Sequence, residues 1–451
     1  MRIELAHPLT LWEIATATNG RVTFPYTNSA VYYIATDSRE VIKGDLFIAL
    51  DGKKFNGEDF VSEAVAKGAH HFSTGNSHSG IQVDDTKEGL LKLAKYYKKK
   101  FKNLKHTVCI TGSVGKTTTK EFTKVLLSEK YSVHATPENK NNTLGVPLTI
   151  LSMPKDCEAL VIEMGMNSFG EISKSSICAS PDISIILNVG TSHIGLLGSR
   201  KNIAEAKLEI KQGMSNGRLI LPYGEPLFEK EDAMTFDCHS TDADFYFKKT
   251  LGLCFYHNRS LIASLNFKFK EAHLQECLLA ATVCSYLSGV RPEELSRGAS
   301  KISEENIRQK IVNIDNFCFL TDFYNSSYES VIAALNSLST LSSYQRKSVL
   351  LGDILELGEK SDEIHTLIGK NIAKYNIFNL YLFGKCSKNI LAGAKSEGFP
   401  ESRIFLNEDI ENPDLTAAQI KTNHTQGEII LMKASRGIRL ERILSKFEKQ
   451  E

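Results

Sequence analysis

Residues 109–122 read CITGSVGKTTTKEF, and their types suit one chemistry, the grip of phosphate. Gly112 and Gly115 bracket Ser113 and Val114, and Lys116, Thr117 and Thr118 follow at once. Glycines let a backbone curl until successive N–H groups point inward as a nest. The positive end of a following helix strengthens that field. Lys116 has the reach for β- and γ-phosphates, and the Thr117 hydroxyl has the placement for Mg²⁺. The spacing is G-x-x-G-K-T; the first glycine of the longer phosphate-loop pattern would fall on Ile110. A glycine turn before an ordinary helix is the competing reading. The apolar strand before the loop, and the Lys and Thr at the helix start, favour nucleotide binding.

Two further residues share the expected edge. Glu163 closes the apolar run ALVI, and His193 follows IILNVGTS. Open parallel sheets bind ligands at the carboxyl ends of their strands. A carboxylate and an imidazole emerging there suit divalent cations beside Thr117. Against this, a strand-end glutamate can cap the next helix, and a lone histidine often serves as a hydrogen-bonded loop residue. Lys207, in AEAKLEI, is one of 54 Lys and Arg residues, and its helical position gives it no special role.

These residues need a sheet to bring them together, and the chain supplies one. HTVCIT, YSVHAT, EALVIEMG, DISIILNVG and GRLILP are short, apolar and β-rich, as buried strands of a mostly parallel sheet are. Helical stretches such as KTTTKEFTKVLLSEK and KNIAEAKLEIKQGM alternate with them. DADFYFKKTLGLCFYHN reads as an antiparallel excursion, and HLQECLLAATVCSYLSG as a long helix with Gly289 past its end. Before this region, YYIATDSREVIKGDLFIAL gives strand, turn, strand, and GEDFVSEAVAKGA a helix stopped by Gly68. From Gln309 the alternation restarts with FCFLTDF, KSVLLGD, FNLYLFG, SRIFLNE and GEIILMK. The expected fold class is α/β in three domains: a small N-terminal α/β unit (1–84), a central phosphate-loop unit on a mostly parallel sheet (85–308), and a C-terminal Rossmann-like unit (309–451).

Composition narrows the function. A length of 451 residues exceeds one hydrophobic core. A net charge of +1 argues against a nucleic-acid surface, and the basic run YYKKKFKNLKH reads as a solvated helix end. Nine cysteines without metal-like spacing suit a reducing compartment. MRIELAHPLTLWEIA lacks the pattern of a secretion signal, and no apolar run approaches the ~20 residues that cross a bilayer. The expectation is a cytoplasmic protein without membrane insertion.

Taken in order, the motifs resemble those of the Mur ligases, ATP-dependent amide-forming enzymes of bacterial cell-wall synthesis. They are TDSR with GDLFIAL, TGSVGKTTTKE, TPENKNNTLGVPL, EMGMNSFGEI, NVGTSHIGLLGS with AEAKLEI, then DFYNSS, GDILELG with His365, and KASR. The resemblance covers nearly the whole chain. It implies transfer of D-alanyl-D-alanine onto UDP-N-acetylmuramoyl-tripeptide through an acyl phosphate, by a monomer. It implies ATP and two Mg²⁺ ions, with Lys116 on the terminal phosphates, Thr117 and Glu163 on one ion, His193 on a second, and a carbamate on Lys207. It places His273, Arg308, Asp322, Tyr324 and Asn325 at the nucleotide. Ser38 and Arg39 fall at the UDP end, and Asn139, Asn141 and Asn142 in the central cleft. Lys433, Ser435 and Arg436 fall at the dipeptide carboxylate, although Asx turns and helix capping account for such residues too. The chain departs from the family pattern at Cys277, Ser327, Tyr328 and Ala434, where asparagine, asparagine, proline and glycine are usual. The phosphate loop alone would equally suit a phosphotransferase, another NTPase or a nucleotide-binding scaffold without catalysis.

Overall fold

The computed structural model describes residues 1–23, 28–52, 55–76, 78–250 and 252–448. Three mixed sheets follow one another along the chain. The first has six strands, ordered Arg2–Thr10, Ala30–Ala35, Leu46–Ile48, His70–Ser73, Gly80–Gln82 and Arg21–Val22. Its outer pairs are antiparallel and its inner pairs parallel.

The central sheet has nine strands. Its parallel part runs Phe245–Lys249, Met234–Asp237, Arg218–Pro222, Ile183–Ile186, His106–Thr111, Ala159–Glu163 and Val133–Ala135. All five strands expected for this region are in it. Leu253–His257 and Ser260–Leu265 extend it antiparallel at one edge; Leu251, within the expected excursion, lies outside the described residues. Side chains of the strand His106–Thr111 alternate between two cores. Cys109 packs on one face with Leu160 and Ile162, and Val108 and Ile110 pack on the other with Phe122 and Leu278. Burial on both faces is why the run is apolar throughout.

Register delivers the strand ends to one edge. Ile110 pairs with Glu163, and Thr111 with Ile186, so the turns after all three strands lie side by side. The helices Lys116–Leu127 and Ala272–Leu287 cover one face. The other face shares a continuous core with the first sheet, through Leu90, Leu93 and Tyr97 of the helix Thr86–Lys98.

The third sheet is ordered Lys310–Ile314, Phe317–Thr321, Glu428–Lys433, Arg346–Gly352, Leu380–Phe383 and Ile404–Asn407. It is parallel except for its first pair, and it carries a core on each face. The strand Lys310–Ile314 went unread in the sequence, because its exposed, alternating residues look like a linker.

Candidate active site

A cavity of about 280 Å³ lies between the central and third sheets, with the phosphate loop on one wall and Asp322, Tyr324 and Asn325 on the other. The loop is tightly specified. Gly115 has φ +84°, a conformation side chains rarely adopt, and a Cβ there would lie 3.2 Å from Cys277 Sγ. At Gly112 a Cβ would come within 2.9 Å of Leu187 Cβ.

The loop's N–H groups divide in a way the sequence did not disclose. Ser113 and Val114 both donate to Asn188 Oδ1, at 3.0 Å each. The N–H groups from Gly115 to Thr118, where the helix starts and no preceding turn supplies acceptors, are the ones with the geometry to meet an anion. This corrects the expectation of a nest spanning the whole loop. Asn188 sits in the NVGTSH stretch, one turn beyond a strand of the same edge, which was the signal that could have found it.

Lys116 folds over its own loop, Nζ donating to Gly112 O at 2.7 Å and Ser113 O at 3.1 Å. Burial lowers its pKa to about 8, against the opposing pull of Glu163. Thr117 Oγ1 accepts from Arg308 Nη2 at 2.9 Å, and the Arg308 guanidinium lies 4.4 Å from the centre of the Tyr324 ring.

Glu163 is 1% exposed. Its Oε1 accepts from Asn141 Nδ2 at 2.7 Å, while its buried Oε2 has no hydrogen-bond partner. A buried carboxylate oxygen is costly to leave unmatched, so this donor set fits a hard divalent cation. Lys207 is 2% exposed, and among the described residues no carboxylate offsets its desolvation. Burial first, and the Lys116 charge second, push its pKa well below the usual 10.5. The amine that sequence reasoning could not distinguish from solvated lysines is thus a buried, weakly basic nitrogen beside the phosphate loop.

The family described as "Mur ligase middle domain" matches residues 110–259, and that described as "Mur ligase family, catalytic domain" matches residues 30–98. The UDP-N-acetylmuramoyl-tripeptide–D-alanyl-D-alanine ligase of Bacillus subtilis (strain 168) is 34% identical over 450 residues, covering 96% of this chain and 97% of that protein. The chain belongs to the Mur ligase family. Among solved structures, MurF from Acinetobacter baumannii superposes with a TM-score of 0.86 at 27% identity, covering 99% of each chain. The Thermotoga maritima MurF ligase in complex with ADP gives 0.77 at 29% identity, covering 92% of this chain and 96% of that one.

In this Mur ligase the remaining residues fall into distinct places. His273 lines the large cavity, with a pKa lowered by burial. A second cavity of about 110 Å³ adjoins it, and Ser192, Asn325, Ser326 and Ser327 line both. His193, Ser435 and Arg436 line this smaller cavity. Lys433 does not. It is 1% exposed, and its ammonium donates to Asp322 Oδ2 at 3.0 Å and to the carbonyls of Asp322 and Asn325. The expected grouping of Lys433, Ser435 and Arg436 as one carboxylate clamp is corrected accordingly: Lys433 braces Asp322 and Asn325 on the wall of the large cavity. Ser435 Oγ accepts from Leu355 N at 2.9 Å, and Arg436 pairs with Glu441 at 3.2 Å.

Ser38 and Arg39 lie in the first sheet's unit and line neither cavity. Ser38 donates to Glu63, and the exposed Arg39 pairs with Asp37 at 2.6 Å. Of the three asparagines, Asn141 reaches the cavity, Asn139 is exposed, and Asn142 Oδ1 accepts from Leu144 N and Gly145 N as an Asx turn. The Mur ligase departures are absorbed locally. Ser327 caps the helix Tyr328–Thr340, and the Tyr328 hydroxyl accepts from Asn371. Ala434 is buried against Gly352, where an added Cβ would come within 2.7 Å of the alanine methyl.

Proposed function

We infer that this chain is an ATP-dependent ligase that joins D-alanyl-D-alanine to UDP-N-acetylmuramoyl-tripeptide, releasing ADP and phosphate. One observation supports the reading beyond family membership: the phosphate-loop cavity shares Ser192 and residues 325–327 as lining with a second cavity lined by Ser435 and Arg436. A carboxylate activated at that junction is reachable by nucleotide from one side and by an amine from the other.

A carboxylate does not condense with an amine in water, because its oxygen is a poor leaving group. The substrate carboxylate oxygen attacks the γ-phosphorus of ATP, the bond to the β-phosphate oxygen breaks, and ADP leaves. The dipeptide nitrogen, as the free amine, then attacks the acyl carbon; the tetrahedral intermediate collapses with loss of phosphate and of the amine proton. Both steps crowd anions, so fixed positive groups lower the barrier. Lys116, Arg308 and the helix N–H groups supply them from this chain.

Thr117 and Glu163 would hold one Mg²⁺, and His193 and Lys207 a second, offsetting charge on the transferring phosphoryl group. The unmatched Glu163 Oε2 supports the first site. The depressed basicity of Lys207 supports its carbamate form, because only a neutral amine adds carbon dioxide. The first unit (1–84) would take the UDP end at Ser38 and Arg39. The central unit (85–308) would hold ATP and the peptide, with Asn139, Asn141 and Asn142 along the cleft. The third (309–451) would take the nucleoside at Asp322, Tyr324 and Asn325, and the dipeptide carboxylate at Ser435 and Arg436. The protein would work as a cytoplasmic monomer; no helix of the described residues is long and apolar enough to cross a membrane.

Phosphate release from ATP should require UDP-tripeptide and D-alanyl-D-alanine together. Release that ignores the dipeptide would overturn the assignment.

A further inference from the structure

Two carboxylates of the third sheet's unit grip one loop of the central unit. Residues 188–195 follow the strand Ile183–Ile186, and their first half supports the phosphate loop. Asn188 Oδ1 accepts from Ser113 N and Val114 N, and Gly190 N donates to Ser113 Oγ at 2.8 Å. Their second half is held from across the interface. Glu329 accepts from Thr191 N at 2.8 Å and from Thr191 Oγ1 at 3.1 Å. Glu356 Oε2 meets His193 Nδ1 at 2.7 Å, and Glu356 O accepts from Gly195 N at 3.0 Å. The fit leaves no slack, since a Cβ at Gly190 would lie 2.6 Å from Glu329 Cδ and one at Gly195 2.3 Å from Gly358 N.

The meeting residues are both strained. His193 and Glu356 each have φ +64°, a region that non-glycine residues occupy at functional sites when their surroundings over-determine them. The surroundings of Glu356 do so. Ile354 N donates to His365 Nε2 at 3.0 Å, His365 Nδ1 donates to Ser361 O at 2.7 Å, and Leu355 N donates to Ser435 Oγ. Asp353 Oδ1 accepts from Cys386 N at 3.1 Å. Asp353, His365 and Cys386 lie close enough to suggest a metal centre. With both imidazole nitrogens of His365 committed, they form instead the scaffold that fixes the turn at Glu356.

We propose that Glu356 is a positioning residue for His193, which orients that ring as a cation ligand only when the third unit is docked. The inference rests on the ligase reading above. A carboxylate only accepts, so Nδ1 carries the hydrogen and Nε2 is the nitrogen left to bind a cation. Cation-ligating histidines are commonly held in this way by a carboxylate on the other ring nitrogen. Here the two partners belong to different units, 163 positions apart in sequence. Glu329 secures the same loop one residue before Ser192, so docking reaches the phosphate loop and the cation ligand together.

The test counts cations without turnover. Mn²⁺ would be titrated by electron paramagnetic resonance into the full-length protein, with UDP-tripeptide and a nonhydrolysable ATP analogue present. The parent should bind two ions. Glu356→Ala should weaken one of them about 10- to 100-fold, the usual effect of losing such a partner, and leave the other within about twofold. Glu356→Gln, whose amide oxygen accepts the same hydrogen, should recover most of the affinity. His193→Ala should show the same single loss, with no further loss in the double variant. Two unchanged affinities in Glu356→Ala, or a single ion in the parent, would overturn the proposal, whatever the phosphate-release assay shows. Failure of the ligase reading would instead appear as phosphate release without dipeptide, in an enzyme whose cation count is unchanged.

Discussion

Arg308 and Thr117, 191 positions apart in sequence, are joined by a 2.9 Å hydrogen bond from Nη2 to Oγ1. The arginine precedes the third sheet and the threonine opens the helix of the phosphate loop, so this bond ties that loop to the stretch leading into the third sheet. On the proposed ligase reading, its guanidinium, stacked on Tyr324, would present a fixed fork to the negative charge of the transferring phosphoryl group. Arg308→Ala should lower kcat by about 10²-fold, as loss of one preorganised donor does. Arg308→Lys should fall between, since a point charge replaces the fork. Arg308 is exposed, so thermal denaturation should move by no more than about 1 °C. Steady-state kinetics within twofold of the parent for Arg308→Ala would exclude this role.

Lys207 should trade stability for function. The unfolded chain keeps this amine protonated up to about its ordinary value of 10.5, whereas burial lowers the value in the folded chain. Over the interval between the two, the unfolded state binds more protons, so stability rises with pH and the folding penalty is greatest on the acid side. Lys207→Met in buffer free of carbon dioxide should therefore melt higher than the parent at pH 7.5, by roughly 2 °C or more. The gain should shrink toward pH 10.5, and ligation should be lost at every pH. Scanning calorimetry at several pH values reads the trend. A methionine variant that melts lower at pH 7.5 would contradict it.

Gly115 should tolerate no side chain. With φ +84° and Cys277 Sγ only 3.2 Å from where a Cβ would stand, Gly115→Ala combines left-handed strain of about 1–2 kcal/mol with contact against the sulfur. Nucleotide affinity should fall at least tenfold, since ~1.4 kcal/mol is one decade. Adding Cys277→Ala should relieve the contact but not the strain, and restore affinity only in part. Calorimetric titration with ADP measures both, and full recovery in the double variant would show that strain contributes nothing.

Sequence reasoning saw most of the scaffold and only part of the site. Doubly buried strands such as HTVCIT announce themselves by unbroken apolar runs, and the phosphate loop by glycines placed between strand and helix. Only the family resemblance singled out Lys207, because desolvation, the cause of its lowered basicity, is a property of the packed environment and leaves no mark on local periodicity. Glu329 and Glu356 were missed because their partners lie 138 and 163 positions away. The family resemblance grouped Lys433 with Ser435 and Arg436, whereas the end of this fully buried strand turns Lys433 to Asp322. The departures at Ser327 and Ala434 are accommodated by helix capping and by the space beside Gly352, neither of which the sequence displays.

The continuous core between the first two sheets has a consequence for biosynthesis. Leu90, Leu93 and Tyr97 share one core with Leu160 and Ile162, which are translated after them. The earlier segment waits with apolar surface uncovered, a natural client for chaperones. The last third, with a core on each face of its own sheet, can close without help from its predecessors. Severing the polypeptide near residue 308 should therefore yield two parts that recombine, whereas a cut near residue 100 should strand a fragment that aggregates.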